Sequence, residues 1–113
     1  MIGACFEVYN EMGNGYLEDV YQESLELELE ERGIPFMSQP KLPISYKQRT
    51  LRKHDEADLL VFDKIIVELK AVRAAVPEHE AQLLHYLKST GRRVGYLINF
   101  CAASKLDCLR RVR

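Results

Sequence analysis

Two acids and a lysine interrupt the most apolar stretch of the chain. Residues 57–72 read Ala-Asp-Leu-Leu-Val-Phe-Asp-Lys-Ile-Ile-Val-Glu-Leu-Lys-Ala-Val. The pattern predicts two short strands joined by a tight turn at Phe62-Asp63-Lys64, with Asp58 on the first and Glu68 and Lys70 on the second. Charges inside runs this apolar are expensive to bury unless they are paired or bind a metal. Glu68 and Lys70 are two apart, so in a strand they share one face, about 6.6–7 Å from each other. One acid followed by acid-x-lysine on the next strand can hold a divalent cation beside a lysine.

The register of this hairpin decides whether the acids meet. A two-residue loop at Asp63-Lys64 would set Leu69 opposite Asp58 and send Asp58 and Glu68 to opposite faces. A three-residue loop, 62–64, pairs Val61 with Ile65 and Asp58 with Glu68. Like charges directly opposite each other destabilise a sheet unless a cation lies between them. The three-residue loop, with a metal between the two carboxylates, is the expectation. The competing reading is two edge strands with solvated charges.

The flanking elements must carry this hairpin. Residues 2–12 read as a short helix with Ile2, Cys5, Phe6 and Tyr9 at helical spacing, broken by Gly13-Asn14-Gly15. The chain opens directly in that helix, which suggests native residues upstream. A second helix is expected over 16–32, ended by Gly33 and Pro35. Leu17, Val20, Tyr21, Leu25 and Leu29 form its apolar stripe, and Glu23, Glu26, Glu30 and Glu31 its solvent face. Glu18 lies beside the stripe in the first turn, where the helix dipole also favours an acid. Residues 34–53 read as extended, with Pro35, Pro40 and Pro43 confining them to an edge or to irregular structure. Leu42, Ile44 and Tyr46 alternate as a half-buried strand, and 47–50 reads as a turn.

A third helix starts at Pro77 and stops at Gly91. Leu83, Leu84 and Leu87 give its core stripe, and His79, Gln82 and Tyr86 a polar stripe beside it. A buried strand follows over 94–101, a turn over 102–105 and a last strand over 106–112. The expected order is therefore two helices, three antiparallel strands, a helix and two strands, in one domain spanning 1–113.

At 113 residues, 47% hydrophobic and 29% charged, the composition is that of a soluble globular domain. No stretch approaches the roughly 20 apolar residues of a membrane span. No signal-peptide pattern opens the chain. Cys5, Cys101 and Cys108 are an odd number without CxxC spacing, which points to reduced thiols and a cytoplasmic setting. A zinc site from Cys101, Cys108 and a histidine is the lesser alternative. The net charge of −1 hides an asymmetry: residues 1–40 carry −8 and residues 41–113 carry +7. A uniformly basic nucleic-acid binder is excluded, but a basic face opposed to an acidic helix is not. Lys41, Lys47, Arg49 and Arg52 lie on the basic strand pair, where they could contact phosphate or simply guard a sheet edge.

The set as a whole resembles the PD-(D/E)XK nuclease superfamily. More narrowly it looks like its GxxExxY family, through Gly15-Tyr16-Leu17-Glu18-Asp19-Val20-Tyr21. The stretches Ala57-Asp58-Leu59-Leu60-Val61, Ile66-Val67-Glu68-Leu69-Lys70-Ala71-Val72 and His79-Glu80-Ala81-Gln82-Leu83-Leu84 fit as well. Ala57 stands where the superfamily's name has proline. The resemblance implies an α/β, restriction-endonuclease-like core: a central mixed sheet flanked by helices, order ααβββαββ. It implies Mg²⁺ or Mn²⁺ held by Asp58, Glu68 and the carbonyl of Leu69, with Glu18 completing the shell. Lys70 would orient or deprotonate the attacking water, and Gln82 would hold a phosphate or position Lys70. Tyr86 and Tyr21 would be support. The implied activity is phosphodiester hydrolysis of nucleic acid, DNA ahead of RNA. A non-catalytic binding module for nucleic acid or protein is the alternative, and a homodimer through residues 106–112 or the acidic helix is a third.

Overall fold

The computed structural model describes residues 1–103 and 105–113. Two helices, α1 (Ile2–Met12) and α2 (Glu18–Glu31), open the chain. Five strands follow: β1 (Phe36–Ser38), β2 (Lys41–Tyr46), β3 (Arg49–Glu56), β4 (Leu59–Val61) and β5 (Ile65–Lys70). Helix α3 (Pro77–Thr90) and strands β6 (Val94–Asn99) and β7 (Asp107–Val112) complete the domain. The expected turn over 102–105 includes Ser104, which lies outside the described residues.

Five strands form the main sheet in the order β1-β4-β5-β6-β7. Only β5 and β6 run parallel, joined by the α3 crossover; the other neighbours are antiparallel. Alternation sorts the side chains. Leu59, Val61, Val67, Leu69, Ile98 and Phe100 meet α1 and α2 on one face. Leu60, Ile66 and Leu97 meet Leu83, Tyr86 and Leu87 of α3 on the other. Gly95 keeps α3 close, since a Cβ there would come within 2.7 Å of Leu83 Cδ1.

The β4–β5 turn has the expected length. Val61 pairs with Ile65, Leu60 with Ile66 and Leu59 with Val67, leaving the three residues 62–64 as the loop. Phe62 and Asp63 take left-handed φ values of 55° and 57°, which only a constrained non-glycine turn adopts. Arg92 secures it, its Nε donating to the Asp63 carbonyl at 3.3 Å and its Nη2 to the carboxylate at 3.2 Å.

Four expectations need correction. The segment before α3 holds five strands rather than three. β2 and β3 leave the main sheet and form their own two-stranded ribbon, while Phe36–Ser38 supplies the sheet's outer strand. The ribbon turn is only Lys47 and Gln48, both at positive φ, because Tyr46 pairs directly with Arg49. Leu17 and Leu84 are not core residues. Leu17 caps α2 and is exposed, and on α3 the buried position falls to Tyr86 instead of Leu84. Glu26, expected in solvent, is half-buried and accepts hydrogen bonds from Gln22 and Ser38.

The ribbon is rooted beside the central hairpin. Leu42 is buried against the α3 face, Tyr86 Oη donates to the Glu56 carbonyl at 3.3 Å, and His85 Nε2 lies 2.9 Å from Asp55 Oδ2. Everything from Lys47 to His54 is exposed.

Candidate active site

The site is built where β4 and β5 diverge. Beyond the last ladder pair, Asp58 and Glu68 face each other on the α3 side of the sheet. Their contact is reciprocal. The Asp58 amide donates to Glu68 Oε1 at 3.1 Å, and the Leu69 amide donates to Asp58 Oδ2 at 2.6 Å. Each carboxylate thus spends one oxygen on the opposite strand. The second oxygen of each has no protein partner among the described residues.

Asp58 is pinned on every side. Its carbonyl accepts from the Gln39 amide at 2.9 Å and from Gln22 Nε2 at 2.8 Å. Gln22 is one turn after Glu18 on α2 and is itself oriented by Glu26 at 2.7 Å. Reading the sequence missed Gln22. Its signal was a polar residue four after Glu18 on the inward side of α2, but nothing in its type announces a bond to a backbone carbonyl 36 residues away.

Glu18 reaches the site from the first turn of α2. Its position depends on the loop before it. Gly13 and Gly15 have φ of 69° and 108°, a conformation that side chains resist. Tyr21 latches that loop: its hydroxyl donates to the Gly13 carbonyl at 2.7 Å and accepts from the Tyr16 amide at 3.3 Å. The Tyr21 ring is fully buried and stacked on Phe100 at 4.5 Å. The spacing of Gly15, Glu18 and Tyr21 therefore has a mechanical meaning: a permissive turn, an acid and a latch. Tyr21→Phe should leave two backbone groups short of a partner, at a cost of about 1–3 kcal/mol. Urea unfolding should register that loss, and amide exchange over residues 13–18 should quicken. Unchanged exchange there would show that the hydroxyl holds nothing.

Three acids crowd one cation. Burial, then the Asp58 charge, pushes Glu68 up to about 8. Burial raises Asp58 as well, against the pull of the Leu69 amide and Lys70. Burial and the Asp58 charge raise Glu18, with Lys70 again opposing. Lys70 is half-buried at the end of β5, and its carbonyl accepts from the Phe100 amide at 2.9 Å. Tyr86 closes the α3 side; burial, then the Glu68 charge, pushes its hydroxyl up to about 12. Burial and mutual repulsion thus favour protonated Glu68 near neutral pH in the absence of a cation.

A second residue escaped the sequence reading. Asn99 pairs with Lys70 in the parallel ladder and is buried. Its Oδ1 accepts from the Val72 and Cys101 amides, each at 3.1 Å, fixing the chain as it leaves Lys70. Its Nδ2 is buried without a partner among the described residues.

The remaining candidates lie elsewhere. Gln82 is exposed on α3, one turn before Tyr86, and bonds to none of the acids. Lys41, Lys47, Arg49 and Arg52 are all exposed on the β2–β3 ribbon, with Lys47 Nζ 5.5 Å from the centre of the Tyr46 ring. The ribbon's base runs straight into Asp58, through Glu56 and Ala57.

The donors suit a hard divalent cation: free carboxylate oxygens, no nearby thiolate ligand set, and repulsion that a cation would relieve. Among the described residues no three acidic, histidine or cysteine side chains gather tightly enough to enclose a metal unaided.

The family profile of the PD-(D/E)XK nuclease superfamily matches residues 1–112. The chain belongs to that superfamily. No curated protein matches it. Among solved structures, the crystal structure of SSO0001 is similar in fold, with a TM-score of 0.65 and 19% identity over 84% of this chain and 49% of that one. The chain spans about half the length of that protein. The mixed sheet flanked by helices is thus restriction-endonuclease-like. No helix among the described residues is long and apolar enough to cross a membrane.

Proposed function

We propose that this domain is a Mg²⁺- or Mn²⁺-dependent nuclease of the GxxExxY type, hydrolysing phosphodiester bonds, in DNA ahead of RNA. The observation that carries the reading is the reciprocal Asp58–Glu68 pair with two unpartnered oxygens beside Lys70. Asp58, Glu68 and the Leu69 carbonyl would hold the cation. In an extended strand a residue's N–H and C=O point to the same side, so the Leu69 carbonyl faces the edge at which its amide meets Asp58. The bound cation would polarise the scissile phosphate and acidify a water.

The side chains do the rest. Lys70 orients the attacking water, accepts or relays its proton, and offsets the charge growing on the phosphate. Glu18 extends the acidic shell from α2. Gln82, exposed on α3, would meet a substrate phosphate. Lys41, Lys47, Arg49 and Arg52 on the ribbon would grip the nucleic-acid backbone and lead it to Asp58. The decisive experiment incubates single- and double-stranded DNA and RNA with the protein and Mg²⁺ or Mn²⁺, with Asp58→Ala as control. Cleavage by the wild type alone supports the reading; no cleavage, or equal cleavage by the variant, sinks it.

The exposed ribbon favours one second reading, a binding module without turnover. Neutralising all four ribbon cations should then weaken nucleic-acid binding, and flatten its salt dependence by up to about 0.9 for each phosphate no longer neutralised. Binding unchanged in the fourfold variant would remove the ribbon from either reading.

A further inference from the structure

One cleft adjoins the acids without belonging to them. It measures about 480 Å³ and lies between the loop 14–17 and the segment that leaves β5, with Tyr16 and Leu17 on one wall, Ala71 and Arg73 on the other and Cys101 between. That volume falls in the range of about 300–1,000 Å³ that takes a small organic ligand. Both walls are continuous with the site: Leu17 precedes Glu18, and Ala71 follows Lys70.

The exposure of Tyr16, Leu17 and Arg73 in this lining is not what folding asks for. Leu17 is the N-cap of α2, makes no capping hydrogen bond and is 79% exposed. Ser, Thr, Asp or Asn would serve the helix better there. Tyr16 is 47% exposed, yet its ring is not loose. It stands edge-on to Tyr21 at 6.0 Å and 83°, and Tyr21 is locked on Phe100. The Gly15 amide is tied across the cleft to Cys101 Sγ at 3.5 Å. Arg73 is exposed and makes no ion pair among the described residues. Local rules broken without a structural gain mark functional positions.

We propose that this cleft receives one unpaired nucleobase next to the bond to be cut. Tyr16 supplies the stacking face, Leu17 the apolar edge, and Arg73 the contact to the adjoining phosphate. The proposal rests on the nuclease reading and narrows it. A base inside an intact duplex has both faces covered by its neighbours, so only an unstacked base can use the Tyr16 ring. The domain would therefore select single strands, frayed ends or flaps over continuous duplex.

The test uses the full chain, in chelator, so that no cleavage intervenes. A labelled single-stranded DNA 12-mer and its blunt duplex are titrated by fluorescence anisotropy against wild type, Tyr16→Phe and Tyr16→Ala. Single strand should bind more tightly than duplex. Tyr16→Ala should lose about tenfold for single strand and nothing for duplex, whereas Tyr16→Phe should match the wild type. A 2-aminopurine placed along the strand should be quenched at one position by the wild type and not by Tyr16→Ala. Binding that is indifferent to Tyr16, with no quenched position, overturns the cleft and leaves the nuclease reading standing. No binding of either nucleic acid also overturns the cleft, and the cleavage assay with Mg²⁺ or Mn²⁺ decides the nuclease reading by itself.

Discussion

In chelator at pH 8, Glu68→Gln is expected to unfold at a higher urea concentration than the wild type, and below pH 4 at the same one. Glu68 is held up to about 8, against an ordinary 4.5, chiefly by burial and then by Asp58. Below the ordinary value the carboxyl is protonated in both folded and unfolded chains, and the variant gains nothing. Between the two values the unfolded chain has lost the proton and the folded chain still holds it. Stability of the wild type therefore falls as pH rises through that window, by about 1.4 kcal/mol per pH unit at most. Glutamine never ionises, so the variant escapes the fall, and its Oε1 can still accept from the Asp58 amide. A divalent cation should invert the order. The wild type gains stability with Mn²⁺ by mass action, and the variant does not. Titration calorimetry should give a binding heat for the wild type alone, and cleavage should vanish in the variant. A variant that binds Mn²⁺ as the wild type does would place the cation somewhere other than this pair.

The hairpin was readable because electrostatics and sheet geometry demanded one register. Asp58 and Glu68 could meet only across a three-residue loop, and Val61 does pair with Ile65. Helix limits were readable from Gly13, Gly33, Pro77 and Gly91, each of which breaks or starts a helix for backbone reasons. The ribbon was not. Leu42, Ile44 and Tyr46 alternate as any half-buried strand does, and alternation does not say which sheet a strand joins. The separation arises because Leu42 is buried against α3 rather than in the main sheet. Gln22 and Asn99 were invisible for a related reason. The Asp58 carbonyl that Gln22 holds and the Val72 amide that Asn99 holds are brought near only by the fold, so neither residue type nor spacing reveals those contacts. Tyr86 displaced Leu84 from the core because its hydroxyl found the Glu56 carbonyl, which let a large polar-tipped ring be buried.

Lys70 separates catalysis from metal binding more sharply than any acid here. Among the charges that act on Glu18, Asp58 and Glu68, it is the cation that lowers all three. Replacing it with methionine keeps the length of the side chain and its packing at the end of β5, but removes both the charge and the proton. The three acids then repel without relief, so a cation between them should bind as tightly as before or more tightly. The reaction should suffer instead. A water left unoriented, and a phosphate charge left unopposed, should slow cleavage by about 10²–10³-fold. Lys70→Arg should not restore the rate, because guanidinium stays protonated at any working pH and cannot take a proton. Single-turnover cleavage and Mn²⁺ calorimetry on the same preparations separate the two effects. Slow cleavage with intact Mn²⁺ binding assigns Lys70 to the chemical step. If both are lost together, its charge is needed to hold the acids in place, and the site works through the order of Asp58 and Glu68 rather than through the lysine's proton. If neither changes, the attacking water is oriented from α2 or α3, and Glu18 and Gln82 become the residues to replace next.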